Sequence, residues 1–217
     1  MSTPDALRQF WDRRYEAVAD HVYGRSPNDF LVRESGRIAP GGAVLSLADG
    51  EGRNSVWLAR RGHAVTAVDV SEAGLRKARA LADLAAVRIE TLAADVTTLD
   101  LGEHRWDAIV SIFLHLPPGP RLDLHRRCLQ ALKPGGVYLF EAYGHGQLHR
   151  DTGGPKEPHL LPRLADVEAE LSGGVIEHRF EGLREVTEGA LHRGTGSVVQ
   201  LAVRRPEDPA PAASPPS

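Results

Sequence analysis

The stretch that decides the fold reads Val44-Leu45-Ser46-Leu47-Ala48-Asp49-Gly50-Glu51-Gly52-Arg53-Asn54. An apolar run enters a turn with two glycines, and a helical pattern, Ser55-Val56-Trp57-Leu58-Ala59, follows at once. Gly50 and Gly52 lack a Cβ, so the backbone of the turn can take positive φ and lie directly against a ligand. The first turn of a helix also offers unpaired N–H groups, which favour a carboxylate or a phosphate. The stretch predicts a strand, a ligand-binding turn and a helix N-terminus.

A second apolar strand, Ala64-Val65-Thr66-Ala67-Val68-Asp69, ends on an acid about one strand–helix unit later. Asp69 lies 69 − 52 = 17 residues beyond Gly52. An acid at this point accepts hydrogen bonds from ribose hydroxyls in nucleotide-binding sites. Taken alone, Asp69 could instead only cap the helix that begins near Ser71. Taken with the glycine turn, it predicts a site for a nucleoside cofactor.

The composition describes one ordinary globular domain of 217 residues, with 41% hydrophobic and 25% charged residues. No run approaches the ~20 apolar residues of a membrane span, and the N-terminus lacks a basic-then-apolar signal pattern. Cys128 is the only cysteine, which excludes an intramolecular disulfide and a metal site built from cysteines. A net charge of −3 argues against a large nucleic-acid footprint. We expect a cytoplasmic protein with no metal and no membrane or nucleic-acid partner.

The rest of the chain alternates strand and helix patterns, which implies a parallel sheet with right-handed crossovers. The first helix carries an apolar stripe of Leu7, Phe10, Trp11 and Val18. Two later β runs, Val175–Thr187 and Ser197–Val203, predict an antiparallel pair at the sheet edge. The fold class is therefore doubly wound α/β, with a helical segment at 1–42, the main domain at 43–205 and a disordered Pro/Ala/Ser-rich tail at 206–217. Further strands are predicted at Ala43–Leu47, Val87–Leu92, Asp107–Phe113 and Val137–Tyr143.

The positions of glycines and acids bear on which cofactor binds. A dinucleotide site requires Gly-x-Gly-x-x-Gly, and the third position of that pattern is Ser55 here. Asp95 follows the third predicted strand, where it could reach an adenine amino group or simply form a turn at the strand end. A nicotinamide-dependent oxidoreductase remains an alternative.

As a set, the motifs resemble a class I S-adenosylmethionine-dependent methyltransferase across residues 8 to 205. The resemblance is nearest to the small-molecule group that includes tellurite-resistance and thiopurine methyltransferase-like proteins. It implies a Rossmann-like methyltransferase fold, with a mostly parallel seven-stranded sheet and an antiparallel last strand. The chain departs from the family at Ser46 and Ala48, where an acid and a glycine are usual. The motifs are Leu45–Asn54, Val68-Asp69, Ala94-Asp95-Val96, Trp106–Val110 and Leu132–Gly136.

The resemblance implies S-adenosylmethionine as the cofactor and assigns residues to it. The first-motif residues would line the methionine portion, Asp69 would hold the ribose, and Asp95 and Val96 would flank the adenine. Ser111 would face the sulfonium. The N-terminal segment would fold over the cofactor, although Tyr15 could equally be an ordinary core aromatic. The implied cofactor-binding set is Tyr15, Tyr23, Arg25, Ser46, Ala48, Gly50, Gly52, Asn54, Asp69, Val70, Asp95, Val96 and Ser111.

The acceptor side is predicted at the ends of the fourth and fifth strands, because ligands bind at the carboxyl edge of such sheets. His115 is the candidate base or acceptor-orienting group, and its plain alternative is a surface loop histidine. Tyr143 and His145 are further candidates for substrate contact. Ser111-Ile112-Phe113-Leu114-His115-Leu116-Pro117-Pro118 lacks the Asp/Asn-Pro-Pro-aromatic pattern usual for methylation of planar nitrogens.

The remaining acceptor class is a small molecule, namely a thiol, a metalloid oxyanion or another heteroatom nucleophile. We expect the protein to act on it as a monomer or a homodimer. A non-catalytic S-adenosylmethionine-binding protein is the alternative from another class, and only Ser46 and Ala48 favour it.

Overall fold

The computed structural model describes residues 4–189 and 192–208. Residues 209–217 of the predicted disordered tail lie outside the described residues. Within the described part, the strands are β1 Ala43–Leu47, β2 Ala64–Asp69, β3 Glu90–Ala93, β4 Trp106–Ile112, β5 Leu132–Tyr143, β6 Val175–Glu188 and β7 His192–Arg204. The α-helices are α1 Pro4–Glu16, α2 Asp29–Glu34, α3 Arg53–Arg60, α4 Glu72–Leu84, α5 Pro118–Ala131 and α6 Leu164–Glu170. Short 3₁₀ helices cover Ser35–Arg37, His145–His149 and Pro158–Leu160.

The described strands form one seven-stranded sheet in the order β3-β2-β1-β4-β5-β7-β6. β1 pairs in parallel with both β2 and β4, and β5 continues the parallel sheet beside β4. β7 is antiparallel to both of its neighbours, β5 and β6. The predicted fold class, a mostly parallel doubly wound sheet with an antiparallel last strand, is confirmed.

Helices cover both faces of the sheet, because each central strand sends alternate side chains to opposite layers. On β4, Ile109 joins the core that α5 covers, with Leu124 and Cys128. Its neighbours Ala108 and Val110 join the core that Phe30 and Leu58 complete on the other face. Burial raises the pKa of the Cys128 thiol to about 12, so this side chain packs as a small apolar group.

The bounds of β3 to β7 differ from the predictions, by one residue at each end of β4 and at the end of β6, and by up to five residues elsewhere. The starts of β3 and β5 differ for local reasons. β3 begins at Glu90 rather than Val87, because the Val87 N–H donates to the Ala82 carbonyl at 3.0 Å and closes the end of α4. β5 begins at Leu132 rather than Val137, because Leu132 pairs with Trp106 across a bulge. The first helix also ends at Glu16, so Val18 lies beyond it.

Among the described residues, none of the helices has both the length and the apolar character needed to cross a membrane.

Candidate active site

A cavity of about 810 Å³ lies at the carboxyl edge of the sheet, where β1, β2, β3 and β4 end. Helix α1 and the segment 154–160 complete its wall. The predicted site residues that line it are Tyr15, Tyr23, Ala48, Gly50, Asn54, Asp69, Val70, Asp95, Val96 and His115. Six other predicted site residues, all within the described part of the chain, do not line it: Arg25, Ser46, Gly52, Ser111, Tyr143 and His145.

The Asp69 carboxylate lines the cavity and is held by two backbone hydrogen bonds. Its Oδ2 accepts a hydrogen bond from the Gly50 N–H and its Oδ1 accepts one from the Ser71 N–H, both at 2.8 Å. These bonds fix the carboxylate plane and leave one further acceptor position on each oxygen. Two adjacent acceptor positions on a fixed carboxylate match the two hydroxyls of a ribose.

The turn after β1 approaches the cavity through residues with left-handed backbone conformations. Gly50 has φ +62°, and a Cβ at this position would lie 2.7 Å from the Tyr15 hydroxyl. Ala48 has φ +50°, in the position where a glycine is usual in the resembled family. Its methyl group is therefore tolerated, at a steric cost of roughly 1–2 kcal/mol.

Gly52 has a different role from the one predicted. Its φ is +89°, and a Cβ would lie 2.7 Å from both Cα and Cβ of Ala78 on α4. The missing side chain thus lets α3 pack against α4, and Gly52 does not line the cavity.

The acid missing at Ser46 is present at Asp49, three residues later. The buried Asp49 carboxylate accepts hydrogen bonds from the Ser46 hydroxyl at 2.6 Å and the Ser55 hydroxyl at 2.5 Å. Burial raises the pKa of Asp49, and these two hydrogen bonds oppose the rise. Asp49 lines the cavity whereas Ser46 supports it from behind.

The N-terminal segment is tied to the same turn through Glu51. Its Oε2 accepts a hydrogen bond from the Val22 N–H at 2.8 Å, and its Oε1 pairs with Lys77 Nζ at 2.9 Å. Lys77 also donates to the carbonyls of Val18 and Asp20. These bonds place Tyr15 and Tyr23 in the cavity wall, while Arg25 pairs with Asp20 at the surface.

At the end of β3, Asp95 Oδ1 accepts hydrogen bonds from both the N–H and the hydroxyl of Thr97. Oδ2 has no hydrogen-bond partner among the described residues. Val96 is buried beside it and lines the cavity. This pair offers one polar and one apolar contact, as an adenine requires.

The comparisons with known proteins agree with this geometry. Residues 44–136 match a family described as a methyltransferase domain. A ubiquinone biosynthesis O-methyltransferase from Alkalilimnicola ehrlichii is 30% identical over 139 residues, which cover 62% of this chain and 55% of that protein. An erythromycin 3''-O-methyltransferase from Saccharopolyspora erythraea is 30% identical over 148 residues, covering 66% of this chain and 47% of that protein. The chain spans about half the length of these curated relatives.

The fold comparison covers almost the whole chain. A solved structure from work on the conversion of a disulfide bond into a thioacetal group during echinomycin biosynthesis superposes with a TM-score of 0.76. It is 20% identical, and the superposition covers 94% of this chain and 93% of that one. In sequence, residues 44–136 are thus similar to a methyltransferase domain. The residues at the ends of β1, β2 and β3 form the half of the cavity for which the cofactor is predicted, the cofactor half.

His115 lies in the other half of the cavity, and its ring is held on both sides. Its Nε2 accepts a hydrogen bond from the Tyr143 N–H at 3.1 Å, and the ring also bonds to the Phe113 backbone. Burial lowers the pKa of His115 to about 4, so the ring is neutral at pH 7. The lone pair that a general base requires is therefore already occupied.

The other two substrate candidates, Tyr143 and His145, do not line the cavity. Tyr143 is fully buried, its ring stacks on Phe113 at 4.6 Å, and its hydroxyl donates to the Thr152 carbonyl at 2.9 Å. His145 lies in a 3₁₀ helix, where its N–H donates to the Pro162 carbonyl. Tyr143 thus supports Phe113 and His115, which do line the cavity.

Most residues that line the half of the cavity around His115 were not predicted from the sequence. The missed lining residues include Trp11, Arg53, Phe113, Leu114, Leu116 and Leu160. A usable signal was the stretch from Ile112 to Leu116, in which the strand ends but apolar residues continue on both sides of His115. No local signal marks Leu160, because its neighbourhood is a loop with a single 3₁₀ turn.

The raised pKa of Asp69 predicts pH-dependent binding. Burial raises this pKa to about 6, against the two backbone hydrogen bonds that lower it. Below pH 6 the carboxyl gains a proton, and an OH oxygen accepts hydrogen bonds poorly. We expect methylthioadenosine, which carries the ribose but no amino-acid group, to bind about tenfold more weakly at pH 5 than at pH 7.5. Calorimetric titration measures this, and Asp69→Asn should bind weakly at both pH values.

Two substitutions in the turn after β1 should change the stability of the protein in opposite directions. Ala48→Gly should stabilise the protein by about 0.5–1 kcal/mol, because relief of left-handed strain exceeds the added entropy of the unfolded chain. Gly52→Ala should destabilise it by at least about 2 kcal/mol, because both strain and a clash with Ala78 arise. Urea denaturation measures both. Equal effects of the two changes would contradict the assigned backbone roles.

Proposed function

We propose that this protein transfers the methyl group of S-adenosylmethionine to a heteroatom of a small-molecule acceptor. The observation that carries the proposal is the Asp69 carboxylate, fixed by two backbone N–H groups at the edge of an 810 Å³ cavity. The donor set fits this cofactor: Asp69 for the ribose, Asp95 and Val96 for the adenine, and the turn from Ala48 to Gly50 for the methionine portion. The O-methyltransferase names of two relatives support the same class of reaction.

The chemistry supplied by bound S-adenosylmethionine is a methyl group on a sulfonium: a nucleophile attacks the methyl carbon, the carbon–sulfur bond breaks, and its electron pair stays on sulfur. The chain's residues then have to hold the two partners in line and exclude water. Such positioning supplies on the order of 7–11 kcal/mol in well-oriented reactions. The N-terminal segment, attached to the turn after β1 through Glu51 and Lys77, forms part of the cavity wall.

No side chain of the cavity has to take the proton from the acceptor. His115 is the histidine of the cavity wall, and its Nε2 already accepts the Tyr143 N–H. Glu157, the acid of the 154–160 segment, is exposed to solvent. An acceptor that ionises readily in water, such as a thiol with a pKa near 8.5, needs no base in the cavity. We therefore assign His115 an orienting role and infer an ionisable hydroxyl or thiol as the acceptor group.

The first test separates binding from transfer. The protein should bind S-adenosylmethionine and S-adenosylhomocysteine in calorimetric titration, and Asp69→Ala should lower both affinities at least tenfold, because the ribose hydroxyls lose a charged acceptor. Leu84→Ala, at an exposed position on α4, is the matched control and should leave both unchanged. Absence of binding at millimolar cofactor would refute the proposal. Binding with no methyl transfer to any thiol or phenol would favour the non-catalytic alternative, and tight NADH binding instead would favour an oxidoreductase.

The second test concerns His115. If the ring orients Phe113 and Tyr143, His115→Gln should lower kcat by less than about tenfold and leave the pH–rate profile of the remaining activity unchanged between pH 6 and 9. Loss of a general base would instead lower kcat by 10²–10⁴-fold and remove an inflection from the profile. His115→Ala should also lose about 1–3 kcal/mol of stability, because the hydrogen bond from the buried Tyr143 N–H to the imidazole would be removed.

A further inference from the structure

Beyond the turn after β1 and the acids at the strand ends, the cavity is walled by apolar side chains from three parts of the chain. The loop after β4 contributes Leu114 and Leu116, and the 154–160 segment contributes Pro155 and Leu160. Helix α1 contributes Leu7 and Phe10. These segments are distant in sequence but line the same cavity, so the apolar wall belongs to the cavity and not to one segment.

Helix α1 leaves apolar side chains exposed at this wall. Leu7 is 38% exposed and Phe10 is 46% exposed, and both line the cavity. The predicted apolar stripe of α1 therefore serves the cavity as well as the core. Exposed apolar side chains that cluster at a cavity mark a binding surface more often than scattered ones do.

Two aromatic groups are fixed in the wall. Phe113 is held at φ +57°, a left-handed conformation that costs a bulky residue roughly 1–3 kcal/mol, and its ring stacks on Tyr143 at 4.6 Å. In α1, Trp11 stacks on Tyr15 at 5.7 Å, and the Arg14 guanidinium lies 4.9 Å from the Phe10 ring centre. Strain and stacking of this kind fix the rings before a ligand arrives.

The charges of this wall do not decide the acceptor by themselves, because Arg13 and Arg14 line the cavity together with Arg53. Arg53 Nη2 is paired at 2.5 Å with the buried Glu188 carboxylate, whereas its Nη1 has no hydrogen-bond partner among the described residues. Glu157 contributes a negative charge. A compact thiol or a metalloid oxyanion would leave the apolar surfaces of Phe113, Leu116 and Leu160 in contact with water.

We propose that the acceptor is a flat, largely apolar aromatic molecule, larger than one ring, that carries the reactive hydroxyl or thiol at its edge. This inference rests on the proposed function and names its substrate class. The cavity volume of about 810 Å³ lies high in the range of roughly 300–1,000 Å³ for a site with one ligand, which suits a cofactor and an acceptor together.

The test is calorimetric titration of the full chain saturated with S-adenosylhomocysteine. The probes are 2-naphthol and 2-naphthalenethiol, compared with phenol, 2-mercaptoethanol and selenite. The two-ring probes should bind at least tenfold more tightly than phenol, and selenite should show no saturable binding. Equal affinity for 2-naphthol and phenol, or tighter binding of 2-mercaptoethanol or selenite, would overturn the inference.

Matched variants locate the binding surface. Phe10→Ala and Leu160→Ala should each weaken 2-naphthol about five- to tenfold while leaving the affinity for S-adenosylhomocysteine unchanged. Leu84→Ala, on the exposed face of α4, is the control and should change neither. If Phe10→Ala weakens only S-adenosylhomocysteine, α1 serves the cofactor and the acceptor inference is wrong.

The two proposals fail in different ways. If the protein binds S-adenosylhomocysteine and 2-naphthol but never methylates either two-ring probe or any other acceptor, the proposed function fails while the shape of the acceptor half stands. If it methylates 2-mercaptoethanol in preference to 2-naphthalenethiol, the proposed function stands and the aromatic acceptor is refuted.

Discussion

The cavity depends on one carboxylate that accepts two backbone hydrogen bonds. Asp69 ends β2, the Gly50 N–H belongs to the turn after β1, and the Ser71 N–H precedes α4. A single buried side chain thus fixes three segments relative to one another. The Asp69 carboxylate is largely removed from water, a cost that shows in its raised pKa and that the two hydrogen bonds only partly offset. The two hydrogen bonds hold the Asp69 carboxylate in one orientation before any ligand binds.

The opposite wall is fixed by a buried network of charges between the β6–β7 hairpin and the centre of the molecule. Arg53 pairs with Glu188, and Arg184 bridges Glu188 and Glu141 at 2.7 and 2.6 Å. Asn28 donates to both carboxylates. Burial would raise the pKa of Glu188, but the two arginines outweigh it and lower the pKa overall. Removing one member would leave a buried charge unpaired, which is far more costly than the net contribution of an intact pair. The network therefore specifies where the hairpin lies more than it adds stability.

Much of the lining of the cofactor half could be predicted from the sequence, because its signals are local. The bounds of β1 and β2, the cap at Ser71 and the positions of Gly50 and Asp69 follow from runs of fewer than about ten residues. Ser46 and Gly52 were assigned to the ligand, yet they bond to Asp49 and make room for Ala78. The residue types of Ser46 and Gly52 indicate a turn, but only their neighbours in the fold show that neither residue lines the cavity.

The lining of the acceptor half could not be predicted from the sequence, because its contacts join segments that are far apart in the chain. The imidazole of His115 looks like a base in the sequence, since it follows a strand at the ligand-binding edge. In the fold, β5 lies beside β4, so the Tyr143 N–H reaches the ring and occupies its lone pair. Because β5 lies beside β4, the Tyr143 ring also stacks on the Phe113 ring and holds it in the cavity wall. A histidine that accepts a main-chain hydrogen bond, next to a strained aromatic, is better suited to fixing the shape of a pocket than to moving protons. The selectivity of this half should therefore come from shape and apolar contact.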